Sequence, residues 1–287
     1  MNDKIERKKY MSVEYRVNIT SNIYRNFETI LSDIKKKSKV PDYFLILRYT
    51  EKNQFLIYDI GSIRGIHITL NHSFIRYWMD IKINAFSSIK DWELFSLLID
   101  HLMAISKIKI YEESEKLITN QDFKTYIEKR YKDEKELSMQ ILDKLVEEGD
   151  SVTLPVFDYD LEIDKDFYIH VKNDENFTEY IFNHLIEKSN RYMYSLRRRT
   201  FVVDEQKVSV WYFDNVLIDE VDYIAVYKDI DSKDPIILPW ELFISIEGIK
   251  YERVPKGQNQ NGYYIYDVKQ DEIEKLYNRI VKLKNDY

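Results

Sequence analysis

The chain has 287 residues, 44% hydrophobic and 32% charged, a balance that supports a packed core and excludes wholesale disorder. It contains no cysteine and only six glycines, which excludes disulfides, thiolate metal sites and cysteine nucleophiles and leaves little material for glycine-rich phosphate loops. The net charge of −7 sits in the second half: residues 1–150 hold 25 Lys and Arg against 24 Asp and Glu, whereas residues 151–287 hold 18 against 26.

Val13, Tyr15, Val17 and Ile19 alternate with Glu14, Arg16 and Asn18, the pattern of a half-buried strand. Ile23, Phe27, Ile30, Leu31 and Ile34 then recur at helical spacing, ending in three lysines that suit a helix C-terminus. Residues 43–83 read as antiparallel strands joined by tight turns. In the last of them, 74–83, Ile75, Tyr77, Met79, Ile81 and Ile83 take one phase, and Phe74, Arg76, Trp78, Asp80 and Lys82 the other. Ser88 followed by Asp91 is a capping-box pattern, and it opens an apolar stripe running from Leu94 to Ile105. Residues 113–148 predict two charged helices, the second burying Leu137, Ile141 and Leu145, with Gly149 at the position of a C′ glycine.

The second half again mixes strands and helices. Predicted strands are 153–163, 167–171, 194–203, 208–213, 223–227 and 263–268. Predicted helices are 177–188, 239–245 and 272–284, and 254–262 is the clearest loop. The fold class is therefore α+β, with mainly antiparallel sheets packed against amphipathic helices in two similar-sized halves. The domains expected are an α+β domain over 1–112, a helical connector over 113–150 and an acidic α+β domain over 151–287.

Motifs of the common enzyme classes are missing. No P-loop, dinucleotide-binding or nucleophile-elbow pattern occurs. The segment bounded by Gly61 and Gly65 lies between strands and so has no helix N-terminus for a phosphate. His67 and His72 have no zinc-ligand spacing. Asp204-Glu205-Gln206-Lys207 matches the carboxylate–lysine spacing of one nuclease class, but its place between two apolar strands reads as a hairpin turn. Arg197 to Arg199 suit either a phosphate patch or balance of the acidic half.

Asp158, Asp160, Glu162, Asp164 and Asp166 alternate with Tyr159, Leu161 and Ile163. On one long strand all five carboxylates share a face; with a turn at 164–166 only the first three do. The run reads as a solvated edge, an acidic face for a basic protein, or a metal site, and the metal reading lacks the EF-hand glycine. Trp78, on the phase opposite a clean aliphatic face, is the best candidate for an exposed aromatic contact.

The segment from Arg64 to Ile68 running into residues 74–83, and the run from Ser87 to Phe95, resemble an uncharacterised bacterial protein family of unknown function. Val221 to Ala225 and Leu238 to Phe243 resemble its C-terminal half. The resemblance implies a cytoplasmic α+β protein and transfers no activity. The expectation is a non-enzymatic binding protein, one form being an immunity-type protein that neutralises a basic toxin. No cofactor, no metal, no catalytic residue, no nucleic-acid partner and no membrane segment are expected. The binding residues expected are Asp158, Asp160, Glu162, Asp164, Asp166 and Trp78. The alternative is a metal-dependent hydrolase or nuclease using Asp158, Asp160, Glu205 and Lys207.

Overall fold

The structure is a computed structural model that describes residues 12–38, 41–48, 53–113, 116–118, 123–149, 151–156, 159–194, 196–197, 200–229, 231–256 and 260–286. The chain divides into two compact units, residues 1–152 with 163–190, and residues 153–162 with 191–287. Both are α+β with mostly antiparallel sheets, as the alternating strands and capped helices predict.

The first unit is organised by one seven-stranded sheet. Its strands are β1 (Ser12–Ile19), β2 (Leu45–Arg48), β3 (Gln54–Tyr58), β4 (Ile66–His72), β5 (Tyr77–Asn84), β6 (Lys109–Glu112) and β7 (Lys116–Ile118), in the order β2-β3-β4-β5-β1-β6-β7. Alternation decides which face is covered. Val13, Tyr15 and Val17 of β1 and Met79, Ile81 and Ile83 of β5 point inward, against helices α1 (Ser21–Arg25), α2 (Phe27–Lys37) and α3 (Ile89–Ile105). Phe27, Leu31, Trp92, Phe95 and Leu102 fill that layer. Tyr15 meets Phe95 and Trp92 at ring-centroid distances of 4.5 and 6.4 Å, so the aromatic surplus of the sequence is core here.

Residues 113–148 depart from expectation. Lys116–Ile118 is a strand paired with β6, and a single 26-residue helix, α4 (Phe123–Glu148), follows. No glycine or proline interrupts it, and Arg130 pairs with Glu134 at i,i+4. It buries Ser138, Leu142 and Val146, one residue on from the predicted stripe, together with Met139, leaving Leu137, Ile141 and Leu145 half-buried at its flank. Gly149 follows without the left-handed φ of a C′ cap.

Strands β8 (Ser151–Val156) and β9 (Tyr159–Asp164) form a hairpin. Residues 167–171 are not a strand. They belong to helix α5 (Lys165–Val171), because the Asp164 carboxylate caps it by accepting the Phe167 N–H at 2.7 Å. Tyr168 and Val171 are its buried pair. Helix α6 (Phe177–Tyr194) runs six residues past its predicted end, so residues 194–203 hold two short strands, β10 (Leu196–Arg197) and β11 (Phe201–Val203). With them, β12 (Gln206–Trp211), β13 (Val216–Asp219), β14 (Tyr223–Val226), β15 (Ile236–Pro239), β16 (Tyr251–Lys256) and β17 (Gln260–Ile265) build two four-stranded sheets, β10-β13-β17-β16 and β11-β12-β14-β15. Trp211, Trp240 and Phe243, the last two from helix α7 (Trp240–Ile244), pack with Ile280 of helix α8 (Ile273–Asp286) in the core of this unit.

The connection 59–65 is the tightest part of the first unit. Asp91, fully buried in the first turn of α3, accepts from the backbone N–H groups of Ile63 (3.1 Å), Arg64 (3.3 Å), Gly65 (2.8 Å) and Ser88 (2.7 Å), and from the Ser88 hydroxyl (3.2 Å). Burial pushes its carboxyl above the ordinary carboxylate range, while the donors from Ile63, Ser88 and Arg64 pull against it. The Ser189 hydroxyl of α6 donates to the Ile63 carbonyl at 2.7 Å, and the Tyr58 hydroxyl donates to the Ser62 carbonyl at 2.7 Å. Gly65 sits at φ +64, where an added Cβ meets the Ile57 carbonyl oxygen and Leu56 Cδ1 at 2.6 Å.

Replacing Asp91 with alanine strands several buried donors at once and is expected to cost about 3–5 kcal/mol in urea unfolding. Gly65→Ala, which cannot relieve its clash against backbone, is expected to cost about 2–4 kcal/mol in the same assay.

Candidate functional site

One face of the seven-stranded sheet carries α1, α2 and α3; on the other, β1, β4 and β5 present polar and aromatic side chains. Strand register sets them in rows. Asn18, Trp78 and Asn71 stand opposite one another on β1, β5 and β4. Arg16, Asp80 and Thr69 form the next row, which Tyr111 of β6 extends, and Glu14, Lys82 and His67 form the third.

Asp80 is the hub. Its Oδ1 accepts from Arg16 Nε at 2.8 Å, and its Oδ2 accepts from Asn71 Nδ2 at 2.9 Å and Trp78 Nε1 at 3.1 Å. Three side chains on three strands are thereby fixed by one carboxylate. The Arg16 guanidinium lies 5.5 Å from the centre of the Trp78 ring, and its bond to Asp80 holds its pKa above the ordinary value. Arg16 and Trp78 line an open groove of about 610 Å³, together with Asn18, Thr20, Ser21, Ile75 and Arg76. With its indole N–H bonded to Asp80 and a cation over its ring, the half-buried Trp78 side chain is fixed on both counts.

Between β4 and β5 the chain turns through residues 73–76, closed by the Ser73 N–H donating to the Arg76 carbonyl at 2.8 Å. At this tip Phe74 is 100% exposed and Ile75 75% exposed. Below it the base is stiff: Tyr24 packs against His72 and Tyr77, each at 5.3 Å, and Asn53 donates to the Tyr24 hydroxyl at 3.1 Å. Two large apolar side chains thus stand in solvent on a rigid support, beside the Trp78 groove.

Of the residues named from sequence, Trp78 belongs to this site. The described carboxylates Asp160, Glu162, Asp164 and Asp166 are not among the residues that line the groove. Asp158 lies outside the described residues. Asp160, Glu162 and Asp164 alternate along β9, but Asp160 is buried, Glu162 is half-buried, and both have interaction partners. Asp164 is spent as the α5 cap, and Asp166 sits exposed in that helix's first turn. The run is therefore not one strand face of five. Asp204 and Glu205 form the two-residue hairpin turn between β11 and β12, at φ +49 and +68, and Lys207 is the second residue of β12. Of the arginine run, Arg197 is the last residue of β10, and Arg198 and Arg199 lie outside the described residues.

Sequence reading missed Arg16, Asn71 and Asp80 as partners of Trp78, because their meeting depends on register across β1, β5 and β4. It also placed Phe74 and Ile75 inside a strand. Among the described residues, no group of three His, Asp or Glu side chains is placed to hold a metal ion, and no helix is long and apolar enough to cross a membrane. Comparisons with protein-family models, curated proteins and solved structures found no match.

His67, in the third row, is largely buried, and desolvation together with Arg64 and Lys82 pushes its pKa down to about 4. The folded protein therefore keeps it neutral, while the unfolded chain protonates near the ordinary 6.5. Stability is expected to fall as pH drops from about 6.5 to 4, by at most about 3 kcal/mol from this residue. Urea unfolding of His67→Gln across that range is expected to show a correspondingly shallower pH slope.

Proposed function

We propose that this protein is a non-enzymatic binding protein whose partner is another protein, engaged through the tip of the β4–β5 hairpin and the Trp78 groove beside it. The observation that carries this reading is the exposure of Phe74 and Ile75 on a braced hairpin. Adjacent apolar side chains held rigidly in water mark an interaction site more often than a structural one. Trp78, Arg16 and Arg76 next to them are the residue types that carry binding energy in protein interfaces, and the Asp80 network reduces the ordering cost of contact. The partner's surface offers an apolar pocket for Phe74, with acidic groups near Arg76. An immunity-type protein that neutralises a toxin is the narrower form of the same proposal. Among the described residues, no three acidic or histidine side chains are grouped as the hydrolase alternative requires for a metal.

The test is a photo-crosslinking amino acid placed at Phe74 in the cells the protein comes from. A discrete protein adduct is expected, reduced about tenfold or more by Trp78→Ala or Asp80→Ala. Loss of the adduct without loss of fold supports the reading. No adduct, or the same adduct from a probe at exposed Ile237 of β15, overturns it.

A further inference from the structure

A second surface, in the other unit, is built differently. Strand β11 is the edge of the sheet β11-β12-β14-β15, and among the described residues nothing pairs with its outer side. Its three residues are all apolar and all exposed: Phe201 54%, Val202 70% and Val203 55%. Successive side chains point to opposite faces, so this short edge is wet and apolar on both. Natural edges are normally blunted with charge, proline or cover; this one has none of these within the strand.

The register shows which backbone groups are free to pair. Val203 stands opposite Gln206 across the two-residue turn, and Val202 opposite Lys207. The pair that closes such a turn is the hydrogen-bonded one, so the next pair, Val202 and Lys207, points its N–H and C=O groups away from each other. Lys207 bears this out: its N–H donates to Asp222 Oδ2 at 2.7 Å and its carbonyl accepts from the Asp222 N–H at 2.9 Å, both on the β14 side. The N–H and C=O of Val202 therefore face the open edge.

The charges around the strand choose the occupant. In sequence, Arg197, Arg198 and Arg199 precede β11, and Asp204 and Glu205 follow it. Two copies running antiparallel bring the acidic end of each strand to the basic end of the other; parallel copies bring like charges together. The turn gives independent support. Asp204 and Glu205 hold left-handed backbone conformations, where asparagine and glycine are the favoured pair. A glutamate at that position carries a conformational cost.

We propose that a second copy of this chain pairs with β11, antiparallel and centred on Val202, so that each Val202 exchanges both backbone hydrogen bonds with its counterpart and Phe201 of each copy stands opposite Val203 of the other. An edge this short supports a weak dimer, with a dissociation constant on the order of 10–100 µM.

The absence of native cysteine makes the test clean. Val202→Cys places two thiols opposite each other on the symmetry axis, within disulfide reach of an antiparallel pair. Mild oxidation of this variant at about 100 µM is expected to yield a covalent dimer, at a rate that falls on dilution, while Ile237→Cys on the other edge of the same sheet yields little. Sedimentation of the unmodified protein is expected to show a concentration-dependent dimer. Val202→Pro removes the outward N–H without touching the β11–β12 ladder and is expected to abolish it. Asp204→Asn with Glu205→Gly suits the turn and removes the acidic end, and is expected to weaken the dimer about tenfold. A monomer at several hundred micromolar, equal crosslinking of the two cysteine variants, or a dimer indifferent to both Val202→Pro and the turn substitution overturns the proposal.

Discussion

The first unit depends on one buried carboxylate. Asp91 gathers three consecutive backbone N–H groups from the connection between β3 and β4 and the N–H that opens its own helix. Away from water these donors need an acceptor, and one side chain serves them all. The result fixes where α3 begins and where β4 begins by the same atoms, so helix layer and sheet cannot shift independently. Tyr58, Ser62 and Ser189 extend the arrangement to α6 with a second set of buried hydrogen bonds. The open face of the sheet inherits this rigidity, since β4 carries Asn71 into contact with Asp80.

Half of Asp91's role is legible in the sequence. Ser88 three residues before it announces a capping box, and the box forms. The other half is not, because Ile63, Arg64 and Gly65 lie 26 to 28 residues upstream and nothing local marks them as donors. The same division holds at the site. Alternation around Trp78 predicts a half-wet ring, whereas its link to Arg16 depends on pairing residues 64 apart along the chain. Periodicity also misleads where two periods overlap. Phe167, Ile169 and Val171 alternate like a strand, yet Tyr168 and Val171 are spaced for a helix, and the Asp164 cap decides between them. At residues 74 and 75 the alternation of β5 continues into the turn and mimics a longer strand.

The two surfaces singled out use different physics. At the Trp78 groove, charge and aromatic area are locked by a shared acceptor, and apolar reach is supplied by Phe74 and Ile75 beyond it. At β11, specificity comes from backbone direction and from charge order along the chain, with side-chain area secondary. Among the acidic residues of 151–287, Asp164 caps a helix and Asp204 and Glu205 form a hairpin turn.

The position of β1 has a kinetic meaning. It is the first described strand, yet it lies between β5 and β6, and in the sheet it is the only link between the meander β2-β3-β4-β5 and the hairpin β6-β7. Its partners arrive some 60 to 95 residues later in the chain. The meander, whose neighbours are close in sequence, has the low entropic cost of local pairing and forms early; β1 then closes large loops on both sides to complete the sheet. Until it does, β5 and β6 each present an unpaired edge, so the interval before β1 docks is when the chain is most open to pairing with another copy of itself.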